Sequence, residues 1–113
     1  MITEQPVLIT SIKTSVQLYK NRIVSFNGIH SAINPLGVCA ADTKANSYSP
    51  VITHGIALVE AGEAIFAGED IGPDTQGRAV PSPLFQYYLG RALDGALYAG
   101  ALIRIILNVP KSQ

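Results

Sequence analysis

The chain has one cysteine and no tryptophan in 113 residues. A lone Cys39 excludes an intrachain disulfide, a CxxC redox pair and a cysteine-based metal knuckle. In "GVCAA" it reads as a small core residue, since free cysteine is commonly buried. Charge is scarce as well. Only 14% of residues are charged, and eight basic residues balance eight acidic ones. Without a basic excess the chain does not read as a phosphate-backbone binder or as a protein held to a membrane by electrostatics, so neither nucleic acid nor membrane is expected as a partner. No run approaches the roughly 18 apolar residues of a membrane span. The start, "MITEQPVLITSIKTSV", lacks a basic stretch followed by an apolar block, so it does not read as a signal peptide and a reducing, cytosolic setting is expected.

The motifs of common chemistries are missing too. "AGEAIFAGEDIGPDTQGRAV", residues 61 to 80, carries Gly62, Gly68, Gly72 and Gly77. It has neither the GxxxxGK[ST] of a phosphate loop nor GxGxxG, so no nucleotide cofactor is expected. Its glycines read as turn residues. The only histidines are His30 and His54. A Cys39/His54/Asp42 cluster has the residue types of a hydrolase, but nothing in the spacing brings the three together and no GxSxG elbow is present. Glu60, Glu63, Glu69, Asp70 and Asp74 lack the spacing of a calcium loop and read as turn caps and soluble strand edges. No catalytic, cofactor-binding or metal residue is assigned, and the chain does not read as an enzyme.

Hydrophobic residues make up 48% of the chain, enough for the core of one small domain. Such a domain is marginally stable alone, and few charges suggest a surface partly hidden in a partner. In "ALIRIILNV" Ile103, Ile105, Leu107 and Val109 alternate with Arg104 and Asn108, which predicts a strand. Leu102 and Ile106 make its second face half apolar, a candidate subunit interface. "YYLGRAL" is expected to pair with it as a hairpin across "DGALYAG". Tyr87 and Tyr88 fall on opposite faces of that first run. "RIVSF", "VCAA", "GIALV" and "EAIFAG" read as further short strands. Turns are expected at Asn27-Gly28 and Asn34-Pro35, and "DTKANSYSP" as a surface loop closed by Pro50. Short strands at regular spacing predict a mainly β, compact barrel or sandwich.

In the N-terminal third Ile9, Ile12, Val16, Tyr19 and Ile23 match a helical spacing, but Thr, Ser, Val and Ile favour extended chain. The segment is read as an extended N-terminal arm, 1–20, with no partner of its own, ahead of a single domain, 21–113.

The order "NRIVSFNG", "GVCAADTKANSYSPVITHGIALVEAGEAIFAGEDIGPDTQGRAV", "YYLGRALDGALYAGALIRIIL" resembles the small capsid decoration, or cement, proteins of tailed bacteriophages. The matching pieces are Gly37-Val38 with Asp42, Gly55 to Gly68, Gly77-Arg78, and Gly90 to Leu107, across residues 21 to 109. The resemblance implies a small β-barrel or β-tulip-like domain on the outside of the mature head. It implies that the protein stabilises the shell against DNA pressure, commonly as a homotrimer at threefold or quasi-threefold positions, with the major capsid protein as partner. It also implies host cytoplasm as the place of assembly and no catalytic residues. In some such proteins an N-terminal arm adds a strand to the capsid protein, which would make Val7, Ile9, Ile12 and Val16 capsid contacts. Two other readings stay open: a β-barrel module that binds a protein or ligand within a larger assembly, and an enzyme. The lipoyl form of the former is opposed by the absence of lysine from the "PDTQGR" turn.

Overall fold

The computed structural model describes residues 4–82 and 87–108, with only the backbone of Pro6 and Val7. Eight strands are present among the described residues: β1 (Gln5–Thr14), β2 (Ile23–Ser25), β3 (Pro35–Cys39), β4 (Ser47–Glu60), β5 (Asp70–Pro73), β6 (Ala79–Pro81), β7 (Gly90–Ala92) and β8 (Leu102–Leu107). There is no helix among the described residues. One sheet runs β2-β3-β4-β8-β7-β5-β6, with β1 added to β4. Its two ends nearly meet. The Ile23 N–H donates to the Gly77 carbonyl at 2.6 Å, tying β2 to the β5–β6 turn, and Gly62 N–H donates to Ala79 O at 2.7 Å. The mainly β, barrel-like expectation therefore holds.

β4 organises the barrel. Val51 and Ile52 pair with both β1 and β3, whereas Gly55 and Ile56 pair with both β1 and β8. A strand residue has only two edges. β3 and β8 therefore follow one another along one edge of β4, and β1 lies along the other. Gly55, with φ of 100°, sits where the neighbours change, a bend that other residues adopt with strain.

β8 has the register its alternation predicts: Ile103, Ile105 and Leu107 are buried, with Val59 and Ile71, in the main core. A smaller cluster of Leu18, Val24, Cys39 and Val51 lies beside it. Cys39 is a core residue, its thiol donating to Ala41 O at 2.9 Å and lying 3.2 Å from Ser49 Oγ. Val109 lies outside the described residues.

Several local expectations change. The N-terminal segment is extended from Gln5 to Thr14, but it has a partner in its own chain, running antiparallel to β4. "DTKANSYSP" is a loop only at its start, because Ser47–Pro50 open β4. The strand tolerates these polar residues because the Ser49 hydroxyl, buried, is partnered by Thr43 Oγ1 at 2.9 Å. "EAIFAG" forms no strand beyond one bridge, Ile65 to Ala96. Only Gly90–Ala92 of "YYLGRAL" is strand, with Tyr87 exposed and Tyr88 half-buried ahead of it. In the 61–80 stretch Gly68 and Gly77 have positive φ, as turn residues should, whereas Gly62 and Gly72 are needed for close approach of neighbouring atoms.

Candidate interaction surface

Two glycine-rich loops, 61–69 and 93–101, are zipped together at one end of the barrel. Ile65 and Ala96 exchange both backbone hydrogen bonds, at 2.9 and 2.8 Å, and Ala61 does the same with Ala101 and Gly100. Gly68 N–H donates to Ala92 O at 2.7 Å. The bridge makes the side chains alternate. Ile65 and Ala96 point into the core, and their neighbours point out: Phe66 is 77% exposed and Leu97 90%. Tyr98 is exposed beside them. An open apolar cleft of about 340 Å³ lies here, lined by Ala64, Phe66, Ala67, Gly95 and Leu97 with the bridge residues.

No charged side chain occurs in residues 64–68 or 95–103. Charges stand only at the margins, and four of them brace the loops. Glu69 Oε1 accepts the Phe66 N–H at 2.6 Å. Arg91 donates to Gly68 O through Nε and Nη2, at 3.2 and 3.1 Å. Arg104 grips Asp94 with Nε and Nη2, both at 2.9 Å, and adds its backbone N–H at 3.0 Å. Those side-chain bonds hold the Asp94 carboxyl below its ordinary pKa, against a smaller opposing effect of burial. The result is a braced loop pair presenting large apolar side chains to solvent, as interaction surfaces do.

The expected subunit-interface residues lie on an adjoining face. Leu102 is 46% exposed and Ile106 half-buried, on the outside of β8. Their cross-strand neighbours Glu60 and Ile56 lie on the same outer face of β4. Of the arm residues, Ile9 is half exposed, Val16 exposed, and Ile12 packs against the smaller core; the Val7 side chain lies outside the described residues. Among the described residues, no backbone hydrogen bond reaches the edge of β1 that faces away from β4 along residues 5–13.

The hydrolase constellation does not assemble through hydrogen bonds. Cys39 bonds Ala41 and Ser49, Asp42 accepts the Lys20 N–H, and the exposed His54 pairs with Thr53. No group of three or more His, Cys, Asp or Glu gathers among the described residues. Sequence reasoning missed the loop pair. Its signal was present, since "AIFAG" and "GALYAGAL" are charge-free, glycine-bounded segments that carry large apolar residues where turns should be polar. It missed His30 as well, which bonds the Tyr19 N–H through Nε2 at 2.9 Å and lies, through Nδ1, 3.0 Å from Ile23 O.

No curated protein sequence matches the chain. Among solved structures, the N base of the head fibre protein gp8.5 of bacteriophage phi29 is similar, with a TM-score of 0.74 at 17% identity over 94% of this chain and 98% of that one. That likeness concerns the fold. The phage cement protein family matches residues 2–107, taking in β1 as well as the barrel. With nearly the whole length covered, the chain belongs to the phage cement protein family.

Proposed function

We propose that this protein is a structural component of the virion that binds the outer surface of the mature phage head and stabilises the shell against internal DNA pressure. The family match over residues 2–107 carries the reading. The exposed Phe66, Leu97 and Tyr98 on braced loops support it, because a rigid apolar surface loses little conformational entropy on docking. The major capsid protein is the partner. Residues 1–20 serve as the arm that engages it, in a form adjusted to the pairing of β1 with β4: the open edge of β1 receives the capsid strand, and Ile9 and Val16 contact it. Copies associate as a trimer through the outer face of β8 around Leu102 and Ile106. No chemical step is involved.

The test uses heads of the encoding phage assembled without this protein. Wild-type protein added to them is expected to sediment with expanded heads, to appear on their outer surface by electron microscopy, and to raise the temperature at which they release DNA. Phe66→Ser combined with Leu97→Ser is expected to leave the fold intact and weaken binding at least about tenfold, the loss of two buried apolar contacts. Wild-type protein that ignores expanded heads, or binds without changing DNA release, refutes the corresponding part of the reading.

A further inference from the structure

His30 occupies the line along which the barrel closes. It lies beyond β2 in the loop to β3, and its ring joins three separate pieces of chain. Nε2 takes the backbone N–H of Tyr19, in the segment between β1 and β2, at 2.9 Å. A nitrogen that accepts an N–H carries no proton, so the proton of the neutral ring is on Nδ1. Nδ1 lies 3.0 Å from the carbonyl of Ile23, to which it donates in this tautomer. The N–H of the same Ile23 donates to Gly77 on the β5–β6 turn. Gly77 packs so closely that a Cβ there would lie 2.9 Å from His30 Nδ1. The Tyr19 ring stacks on the imidazole, 6.0 Å between centroids, and the Arg22 guanidinium lies 5.4 Å from the Tyr19 centroid.

We propose that His30 is a proton-operated latch on this seam, closed when the imidazole is neutral and opened when Nε2 is protonated. Protonation turns Nε2 from an acceptor into a donor. The Tyr19 N–H then faces another N–H, and residues 15–22 lose their tie to the 26–34 loop. The surrounding charges do not favour the imidazolium. Arg22 is a cation close enough to oppose the imidazolium. Across the seam Glu60 of β4 faces Arg22 at 3.6 Å and Arg78 at 4.0 Å, and Asp74 faces Arg78 at 3.4 Å. The seam carboxylates are thus shared with arginines. Burial lowers the His30 pKa from its ordinary value; the Ile23 carbonyl opposes this and Arg22 adds to it. With the folded value below the unfolded one, the unfolded chain takes the proton first. The stabilising effect is complete above the ordinary histidine pKa and is lost as pH falls below it through the folded value. The latch is independent of capsid binding.

The experiment follows the free protein by NMR from about pH 8 to about pH 4.5, reading the imidazole nitrogens and amide hydrogen exchange together. His30 is expected to be the Nδ1–H tautomer at high pH and to titrate below the ordinary histidine value. Protection of the Tyr19 amide, corrected for intrinsic exchange, is expected to fall at least about tenfold through the His30 titration, while Ile105 in β8 stays protected. His30→Gln, which keeps an acceptor without a titrating ring, is expected to abolish that step. Three results each overturn the proposal: an Nε2–H tautomer, a Tyr19 amide indifferent to His30 protonation, or loss of Ile105 protection in parallel with Tyr19. If the glutamine variant does not fold, the wild-type titration decides alone.

Discussion

Gly77→Ala tests the seam most directly, with Gly68→Ala as its control. Both glycines have positive φ, +78° and +91°. An alanine at either site meets the left-handed backbone cost, about 1–2 kcal/mol. Their surroundings differ. Nothing lies within 4 Å of a Cβ at Gly68, whereas a Cβ at Gly77 would lie 2.6 Å from the Ile23 carbonyl oxygen and 2.9 Å from His30 Nδ1. Backbone cannot swing aside, so the β5–β6 turn must retreat from β2. That weakens the Ile23–Gly77 bond and the Ile23–His30 bond, each contributing about 0.5–1.5 kcal/mol net. The expected loss is about 2–5 kcal/mol at Gly77 against about 1–2 at Gly68, in a domain whose total is of order 5–15. Urea unfolding followed by far-UV circular dichroism resolves this, because a difference of about 1–3 kcal/mol moves the midpoint by about 1 M. Gly77→Val should fall further, and added ATP or GTP should rescue none of the variants. Equal losses at the two glycines would refute the claim that the barrel closes through Gly77. Rescue by nucleotide would overturn the reading of the 61–80 glycines as structural and assign the stretch a phosphate-binding role.

Ile105→Ala and Leu107→Ala should each cost about 2–5 kcal/mol in a thermal or urea melt, since both side chains lie in the core; neutral changes would mean that the register of β8 is wrong. Ser49→Ala should cost about 1–3 kcal/mol by removing the buried partner of Thr43 and Cys39, and a neutral melt would mean the hydroxyl network contributes nothing. Asp94→Asn should flatten the acid limb of the stability profile. The Asp94 pKa is lowered chiefly by the Arg104 hydrogen bonds, so its contribution is present above the ordinary carboxylate range and is lost as pH falls through the folded value. Parallel acid limbs for wild type and variant would show that the pair does not anchor the 93–101 loop.

What could be read from sequence was local. β8 was legible because both its period and its bordering turns lie within one stretch. The turn at Asn34-Pro35 was legible too. Among the described residues, Asn21, Asn34, Asn46 and Asn108 are the four non-glycine residues with positive φ, a conformation asparagine tolerates unusually well. β4 was hidden for two reasons. Its first four residues, Ser-Tyr-Ser-Pro, have loop composition, and the strand status of Ser49 depends on Cys39 and Thr43 several residues away. Gly55 then resembled a boundary, although it bends one continuous strand between two sets of neighbours. The apolar loop pair and the His30 latch rest on contacts that no window contains. Ile65 meets Ala96, and His30 sits against Gly77.

The proposed capsid-binding surface raises a question of magnitude that bears on oligomeric state. Fully burying Phe66, Leu97 and Tyr98 would contribute about 1.5–3 kcal/mol each, or about 5–9 in sum. Association costs about 4–15 kcal/mol before any net affinity appears. One loop pair therefore yields weak binding at best, and the backbone bonds of a strand added to β1 contribute only about 0.5–1.5 kcal/mol each. Durable decoration of a shell needs several such contacts acting together. The proposed association through the outer face of β8 offers the means, because copies joined through Leu102 and Ile106 would present their loop pairs as a set. Linking sites in this way raises avidity by about 10²–10⁴-fold without new contacts. Leu102→Arg, on an exposed position outside the core, is therefore expected to keep the far-UV spectrum of the folded chain, to reduce the sedimentation mass towards one chain, and to lower affinity for expanded heads at least about a hundredfold although the loop pair is untouched. A Leu102→Arg protein that is monomeric yet decorates heads as tightly as wild type would show that a single copy suffices. The binding energy would then have to lie chiefly along the open edge of β1.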